Sequence, residues 1–281
     1  MLIIGEKINI ITKRIAKAIE DKDPKIIRQF ALEQVEGGAG VLDVNIGPAR
    51  KNGVEVMPWL VKTIQEVVDV PLSLDTTNAD AIEAGLKVHK GKAIINSTSA
   101  ARERMEKTFP LAAKYGADII GLALAGKGMP KDTDDRCNLA MEVIAGAAEF
   151  GVSPESIYLD PIVLTVNGMQ QHAMSILDAI EMFCALNDPP MKTTVGLSNI
   201  SNTCPEHIRS ILNRVYLVMA MQRGLTSAIA DPNDTRLMEL VRLMEAKGTD
   251  VDLASILTSD ELKTVEVLKG NILYCHSFLE M

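Results

Sequence analysis

The chain has 281 residues, is 47% hydrophobic, and carries a formal net charge of −8 with a pI near 5.1. That acidic balance argues against a nucleic-acid footprint, which needs lysines and arginines clustered on one face, and leaves small molecules and protein partners. The length suits one large α/β core, since a single barrel takes about 250 residues.

In chain order, short apolar runs alternate with stretches of helical period. The opening run, MLIIGEKIN, contains a first strand at Leu2–Asn9. It lacks a basic leader, a long apolar stretch and a cleavage site. No apolar span of about 18 residues follows it, so a cytoplasmic protein with no membrane segment is expected. Asp23 before Pro24 predicts a capped helix that runs through Gln34 and stops at Gly37-Gly38 with a left-handed turn. A second strand, Gly40–Ile46, leads to a helix over Val54–Val68 with Val54, Met57, Leu60, Val61, Ile64 and Val68 on one side. Further strands are expected at Pro71–Thr76, Ala93–Ser97, Asp118–Leu124, Ser156–Asp160, Thr193–Asn199 and Thr226–Asp231. Helical stripes lie over Arg104–Tyr115, Arg136–Phe150, Ala173–Leu186, Ile208–Arg223 and Thr235–Lys247.

Eight strands alternating with helices predict an α/β fold, a single (β/α)8 TIM barrel spanning 1–281, with an open doubly wound sheet as the alternative. Residues 246–281 read as a C-terminal helical extension whose last helix is capped by Ser259, with Glu261 nearby. The Met-rich Val215–Met221 suggests exposed apolar surface and therefore a homodimer; the competing reading is that it packs on the barrel. Cys137, Cys184, Cys204 and Cys275 are far apart and form no CxxC pair, so no metal site is read from them. His89, His172, His207 and His276 fall on helices or on the long loop and read as packing or surface residues.

Barrel chemistry sits at the carboxyl ends of the strands, and here those ends are polar. They carry Glu6 and Asn9, Asp43 and Asn45, Asp75, Asn96, Asp160, Asn199 and Asp231; only the fifth strand, ending GLALAG, lacks such a residue. Singly, Asp75, Asn96 or Asp231 could be the cap of the next helix. Together they describe a mouth lined by Asp and Asn and almost without cations, ill suited to a phosphate or carboxylate. Carboxylates accept paired N–H bonds and amides both donate and accept, so the mouth suits a neutral heterocycle such as a pterin.

The segments LIIGEKIN, GGAGVLDVNIGPA, PLSLDTTNADAIEAGL, AIINSTSA, YLDPIVL, VGLSNIS and AIADP resemble the pterin-binding barrel family, and within it most closely the methyltetrahydrofolate:corrinoid protein methyltransferases. The likeness runs from Met1 to Leu243. It implies that the N5 methyl of methyltetrahydrofolate is moved to or from the cobalt of a corrinoid (cobalamin) held by a separate protein. That partner would be a corrinoid iron–sulfur protein or the corrinoid protein of an O- or N-demethylase system. No Asp-x-His-x-x-Gly pattern is present to hold the corrinoid here, and no metal is expected on this chain. By resemblance, Asp75, Asn96 and Asp160 bind the pterin, Gly196 and Ser198 line its pocket, Asn199 is the catalytic asparagine, and Asn202 faces the methyl group. Asp75 and Asp160 would also fix the N5–methyl vector for in-line attack. An amide at Asn199 can donate to N5 without losing its own proton.

Two other functions stay open at this stage. A dihydropteroate synthase-like condensing enzyme would need cations for a departing pyrophosphate. Those synthases end their seventh strand in Ser-Arg-Lys, where this chain has Ser198-Asn199-Ile200, and Asp231-Pro232-Asn233 replaces their Arg-x-His. A non-catalytic folate-binding subunit of a corrinoid complex is the third reading.

Overall fold

The computed structural model describes residues 1–49, 51–126 and 128–280. Its strands are β1 (Leu2–Asn9), β2 (Val41–Asn45), β3 (Leu72–Asp75), β4 (Ile94–Ser99), β5 (Asp118–Leu122), β6 (Ile157–Asp160), β7 (Lys192–Thr193) and β8 (Ser227–Ala230). They form one eight-stranded sheet in the order β7-β6-β5-β4-β3-β2-β1-β8, every pair parallel. The order is that of a barrel cut open between β7 and β8.

That cut is bridged mainly by side chains. Thr193 N–H donates to Thr226 Oγ1 at 2.8 Å, and Thr226 N–H returns the bond to Thr193 Oγ1 at 3.1 Å. The hydroxyls of Thr226 and Ser227 both reach the Thr193 carbonyl at 2.9 Å. One step further, Ile229 N–H donates to Val195 O at 2.8 Å, opposite Gly196. The expected strand Thr193–Asn199 is therefore corrected: it leaves the sheet early and becomes a 3-10 turn over Leu197–Ser201. Within that turn Asn199 N–H donates to Gly196 O and Ser201 Oγ to Ser198 O, the local bonding by which hydroxyls and amides compete with a ladder.

Side chains alternate along a strand with a period of two, and this sets the barrel interior. Ile4, Val41, Ile94, Ile120 and Tyr158 are buried together, with Leu2, Leu122 and Ile229 packed on them. Two residues on from these interior positions, toward the carboxyl end, come Glu6, Asp43, Asn96, Leu122, Asp160 and Asp231. An apolar floor thus carries a polar layer on five of these six strands, with Leu122 of β5 the exception.

The helices are α1 (Lys13–Glu20), α2 (Pro24–Glu36), α3 (Gly53–Gln65), α4 (Ala79–Leu86), α5 (Arg102–Tyr115), α6 (Thr133–Glu149), α7 (Val166–Met169), α8 (Ala173–Cys184), α9 (Glu206–Gln222), α10 (Thr235–Lys247) and α11 (Ser259–Leu268). Many start as the sequence dictates. The Asp23 side chain accepts from Lys25 N–H, Asn78 from Asp80 and Ala81, Asp132 from Asp135, and Asp234 from Leu237. On α3 the buried stripe is Val56, Met57, Leu60, Val61 and Ile64, while Val54, in the first turn, is 47% exposed.

Two further expectations are corrected. Thr258, not Ser259, caps α11, exchanging bonds with Glu261 in a full capping box. Val215–Met221 is not an apolar outer face: every residue in it is at most 7% exposed. It is apolar nearly all round because the barrel lies on one side and the C-terminal extension, including Val265, Val267, Leu268 and Phe278, joins its core on the other. No described helix is long and apolar enough to cross a membrane.

Candidate active site

The polar layer is built from small hydrogen-bonded groups on neighbouring strands. Buried Asp43 accepts from Ser73 Oγ at 2.7 Å and from Asn96 Nδ2 at 3.0 Å. Asn45 Nδ2 donates to Asp75 Oδ2 while its Oδ1 accepts from Gly47 N–H at 2.9 Å. Register places Asn45 beside Asp75 and Asp75 beside Asn96, so three consecutive strands deliver adjoining groups. Burial raises the pKa of Asp75, and the neighbouring Asp43 carboxylate raises it further. Asp43 is raised too, by burial, against the bonds from Ser73 and Asn96 that favour its charge. Two carboxylates this close in a shared buried site resist ionising together.

Asp160 ends β6 beside Leu122 and is buried. Its Oδ1 accepts from Ile162 N–H at 2.8 Å, yet burial dominates and pushes the carboxyl up to about 7. Ile162 adopts φ +65°, a left-handed conformation costly for a β-branched residue. The following loop is braced by Arg136, which is wholly buried and donates from Nε to Pro161 O at 2.9 Å.

Across the mouth, the Leu197–Ser201 turn presents Ser198 and Asn199. Ser198 Oγ lies 2.9 and 2.8 Å from the two carboxylate oxygens of Glu6, tying the turn to β1. Asn199 is exposed on the turn, and its Nδ2 stands over Gly196, where a Cβ would meet it at 3.1 Å. Asn202 closes the turn, exposed, with its backbone carbonyl held by Thr165 Oγ1 at 2.5 Å.

Among the residues expected at the site, Asp75 and Asn96 line one recess together with Thr76, Ser97, Arg104 and Leu122. Asp160 stands on the strand beyond Leu122. Gly196, Ser198 and Asn199 share the opposite turn, and Asn202 sits at the rim. Neither Asp75 nor Asn96 caps a helix, since Asn78 caps α4 and Ala101 precedes α5. Asp231 does behave as an Asx turn, accepting from Asn233 N–H at 3.1 Å, and it also pairs with Lys7 at 2.5 Å.

The expectation of a mouth almost without cations is corrected, because Lys7 and Arg104 both reach it. Arg104 donates to Ser97 O, Thr77 O and Thr76 O at 2.8, 2.7 and 3.0 Å, so its guanidinium holds the loops behind Asp75 and Asn96. Nothing in the sequence marks Arg104 or Arg136 as different from helix-surface arginines. Ser73 was equally hidden, although its place two residues before Asp75 on one strand face was a usable signal. Among the described residues, no group of three or more His, Cys, Asp or Glu could hold a metal ion.

With this geometry in place, comparison with known proteins is informative. The chain is 29% identical over 248 residues to the methylcorrinoid:tetrahydrofolate methyltransferase of Eubacterium limosum, covering 88% of this chain and 90% of that protein. It is 28% identical over 257 residues to the methionine synthase of Mycobacterium leprae, but spans only 21% of that protein's length. In fold it resembles the dihydropteroate synthase of Thermus thermophilus at a TM-score of 0.65 and 20% identity, over 88% of this chain and 93% of that one. It resembles the Yersinia pestis DHPS at a TM-score of 0.63 and 16% identity, with the same coverages. The family model described as pterin binding enzyme matches residues 5–231, a span that includes every strand-end residue described above from Glu6 to Asp231. This chain belongs to the pterin-binding enzyme family.

Proposed function

We propose that this protein is a methyltransferase that moves the N5 methyl group between methyltetrahydrofolate and the cobalt of a corrinoid carried by another protein. One observation carries the reading: two raised carboxyls, half-buried Asp75 and buried Asp160, end β3 and β6, and the neutral amide of Asn199 stands exposed on the turn after β7, at the same carboxyl end of the barrel. The named activity of the Eubacterium limosum relative supports it.

In this reading Asp75, Asn96 and Asp160 hold the pterin, and Gly196 and Ser198 line its pocket. The carboxylates accept N–H bonds from the aminopyrimidine edge, and the amide both donates and accepts. This fixes the N5–methyl bond for in-line attack. In the direction away from folate, the N5–carbon bond breaks, its electron pair stays on N5, and the cobalt of the partner supplies the pair for the new bond. N5 then needs a proton or a strong donor. Asn199 donates its N–H to N5 as charge builds there, with solvent delivering the proton through the Asp and Asn network. Asn202, at the rim, faces the transferred methyl.

The partner is a corrinoid iron–sulfur protein or a demethylase corrinoid protein, docked over the mouth. The whole chain, extension included, acts as one domain in the cytoplasm. A pyrophosphate-releasing condensation is disfavoured by Ser198-Asn199-Ile200, which offers no cation, while Arg104 is already committed to three carbonyls.

The test is methyl exchange between methyltetrahydrofolate and cob(I)alamin, alongside folate titration. Exchange with saturable folate binding supports the proposal. Folate binding without exchange to cob(I)alamin or to any corrinoid protein would select a non-catalytic folate-binding subunit.

A further inference from the structure

The loop that carries Asn199 and Asn202 is held from outside its own strand. Thr165 donates its hydroxyl to Asn202 O at 2.5 Å, and Asn167 Nδ2 donates to Thr203 O and Thr203 Oγ1 at 3.3 and 3.1 Å. Thr203 sits at φ +64°, a left-handed conformation that a branched residue keeps only when its surroundings over-determine it.

Three residues beyond Asn167, Gln170 reaches into the C-terminal extension. Its Nε2 donates to Val267 O and to Ile272 O, both at 2.6 Å, and its Oε1 accepts from Tyr274 N–H at 3.0 Å. Both N–H donors of the amide are spent on the extension. The extension then turns back to the loop. Tyr274 Oη is buried without an oxygen or nitrogen partner, and its polar neighbour is the thiol of buried Cys204. Phe278, fully buried with its ring centroid 6.1 Å from that of Tyr274, anchors the far end.

These contacts close a circuit from the loop after β6, through the extension, to the loop after β7. We infer that residues 267–278 form a strap, with Gln170 as its positioning residue, that fixes the Asn199–Cys204 loop for methyl transfer. The effect on turnover rests on the proposed function; the strap itself does not. The whole strap lies beyond residues 5–231 matched by the family model, so it is a contribution of the extension to a site built by the barrel. If the extension only covered the apolar side of α9, losing Gln170 would loosen α9 and the loop alike.

Hydrogen exchange separates the two. In the loop, Asn199, Asn202 and Cys204 donate their backbone N–H groups to Gly196, Asn199 and Ser201. In the full-length Gln170→Ala protein these three amides should exchange about 10-fold faster or more, with α9 unchanged. Methyl exchange with cob(I)alamin should fall about 10-fold while folate affinity holds, because Asp75, Asn96 and Asp160 sit on other strands. Gln170→Glu keeps the acceptor for Tyr274 but loses both donors, and gives the same result if the alanine variant does not fold. Unchanged protection at the three amides, or equal loss along α9, overturns the strap. Should the wild-type protein show no methyl exchange, the methyl-transfer reading falls, and the three amides still decide the strap.

Discussion

Asn199 keeps its side-chain amide over Gly196 so closely that a methyl group on the glycine would stand 3.1 Å from Asn199 Nδ2. The glycine's φ of −76° is open to any residue, so the constraint is space. Gly196→Ala should therefore fold normally and displace the amide by a few tenths of an ångström. Turnover should drop about 10-fold, and by more than folate affinity does, since misplacing a group that acts on the transition state costs rate before binding. Unchanged kcat in Gly196→Ala would show that the position of the amide over this glycine is irrelevant.

Removing the amide is the stronger version. Asn199→Ala should lose about 10- to 1000-fold in methyl exchange, the range of a donor aimed at developing charge, while titration shows near-normal folate binding. Asn199→Asp should be slow at neutral pH and partly recover on acidification, when its carboxyl regains a proton to donate. Wild-type turnover in Asn199→Ala would reduce the turn to a polar surface feature.

For the proposed pterin anchors, affinity is the expected readout. Asp75→Ala should weaken folate binding about 10-fold or more, because removing an acceptor leaves buried ligand N–H groups unpaired at roughly 1–3 kcal/mol. Equal affinity in the folded variant would take Asp75 out of the binding site.

Asp160 links stability to pH. Its carboxyl rises from 3.8 to about 7 on burial, so between those values the folded chain holds a proton that the unfolded chain has lost. Stability then falls as pH climbs through that window and levels off above it. At about 1.4 kcal/mol per unit, the cost is on the order of a few kcal/mol. Asp160→Asn keeps an acceptor for Ile162 N–H and escapes the charge. Its Tm should exceed that of the wild type at pH 8, with the gain shrinking toward pH 4, while folate affinity declines. A gain independent of pH would point to packing instead.

The same carboxyl should make binding titrate. If the pterin donates N–H bonds to ionised Asp160, wild-type affinity should weaken as pH drops below about 7, and binding should release protons. Calorimetry in buffers of different ionisation enthalpy measures that release. Proton uptake on binding would mean that Asp160 receives the ligand in its neutral form.

The barrel and its polar layer were legible because both follow from a two-residue period. Ile4 before Glu6, Val41 before Asp43 and Tyr158 before Asp160 can be read along single strands. β7 was misread because Val195, Gly196 and Leu197 look like strand, whereas the hydroxyls and amides after them bond locally. Arg104 and Arg136 were invisible for another reason: a helix pattern gives the direction of a side chain but not its reach, and both guanidiniums end on carbonyls of other segments, Thr77 for Arg104 and Pro161 for Arg136. The burial of Val215–Met221 could not be seen because what covers it, Val265 to Phe278, arrives some 50 residues later in the chain.

The seam between β7 and β8 also bears on how such a scaffold can diversify. β7 commits only Lys192 and Thr193 to the ladder, and hydroxyls from Thr193, Thr226 and Ser227 close the gap behind them. In the turn over Leu197–Ser201, Leu197, Ile200 and Ser201 are buried and Ser198 is tied to Glu6, whereas Asn199 is exposed, so that one side chain can be exchanged without shifting the register of any strand. On the proposed function, evolution can thus rewrite the group that meets the departing atom while leaving the proposed pterin anchors on β3, β4 and β6 intact. In the proposed reaction a Ser-Asn pair in that turn would serve a leaving amine; cations there would serve a leaving phosphate on the same platform.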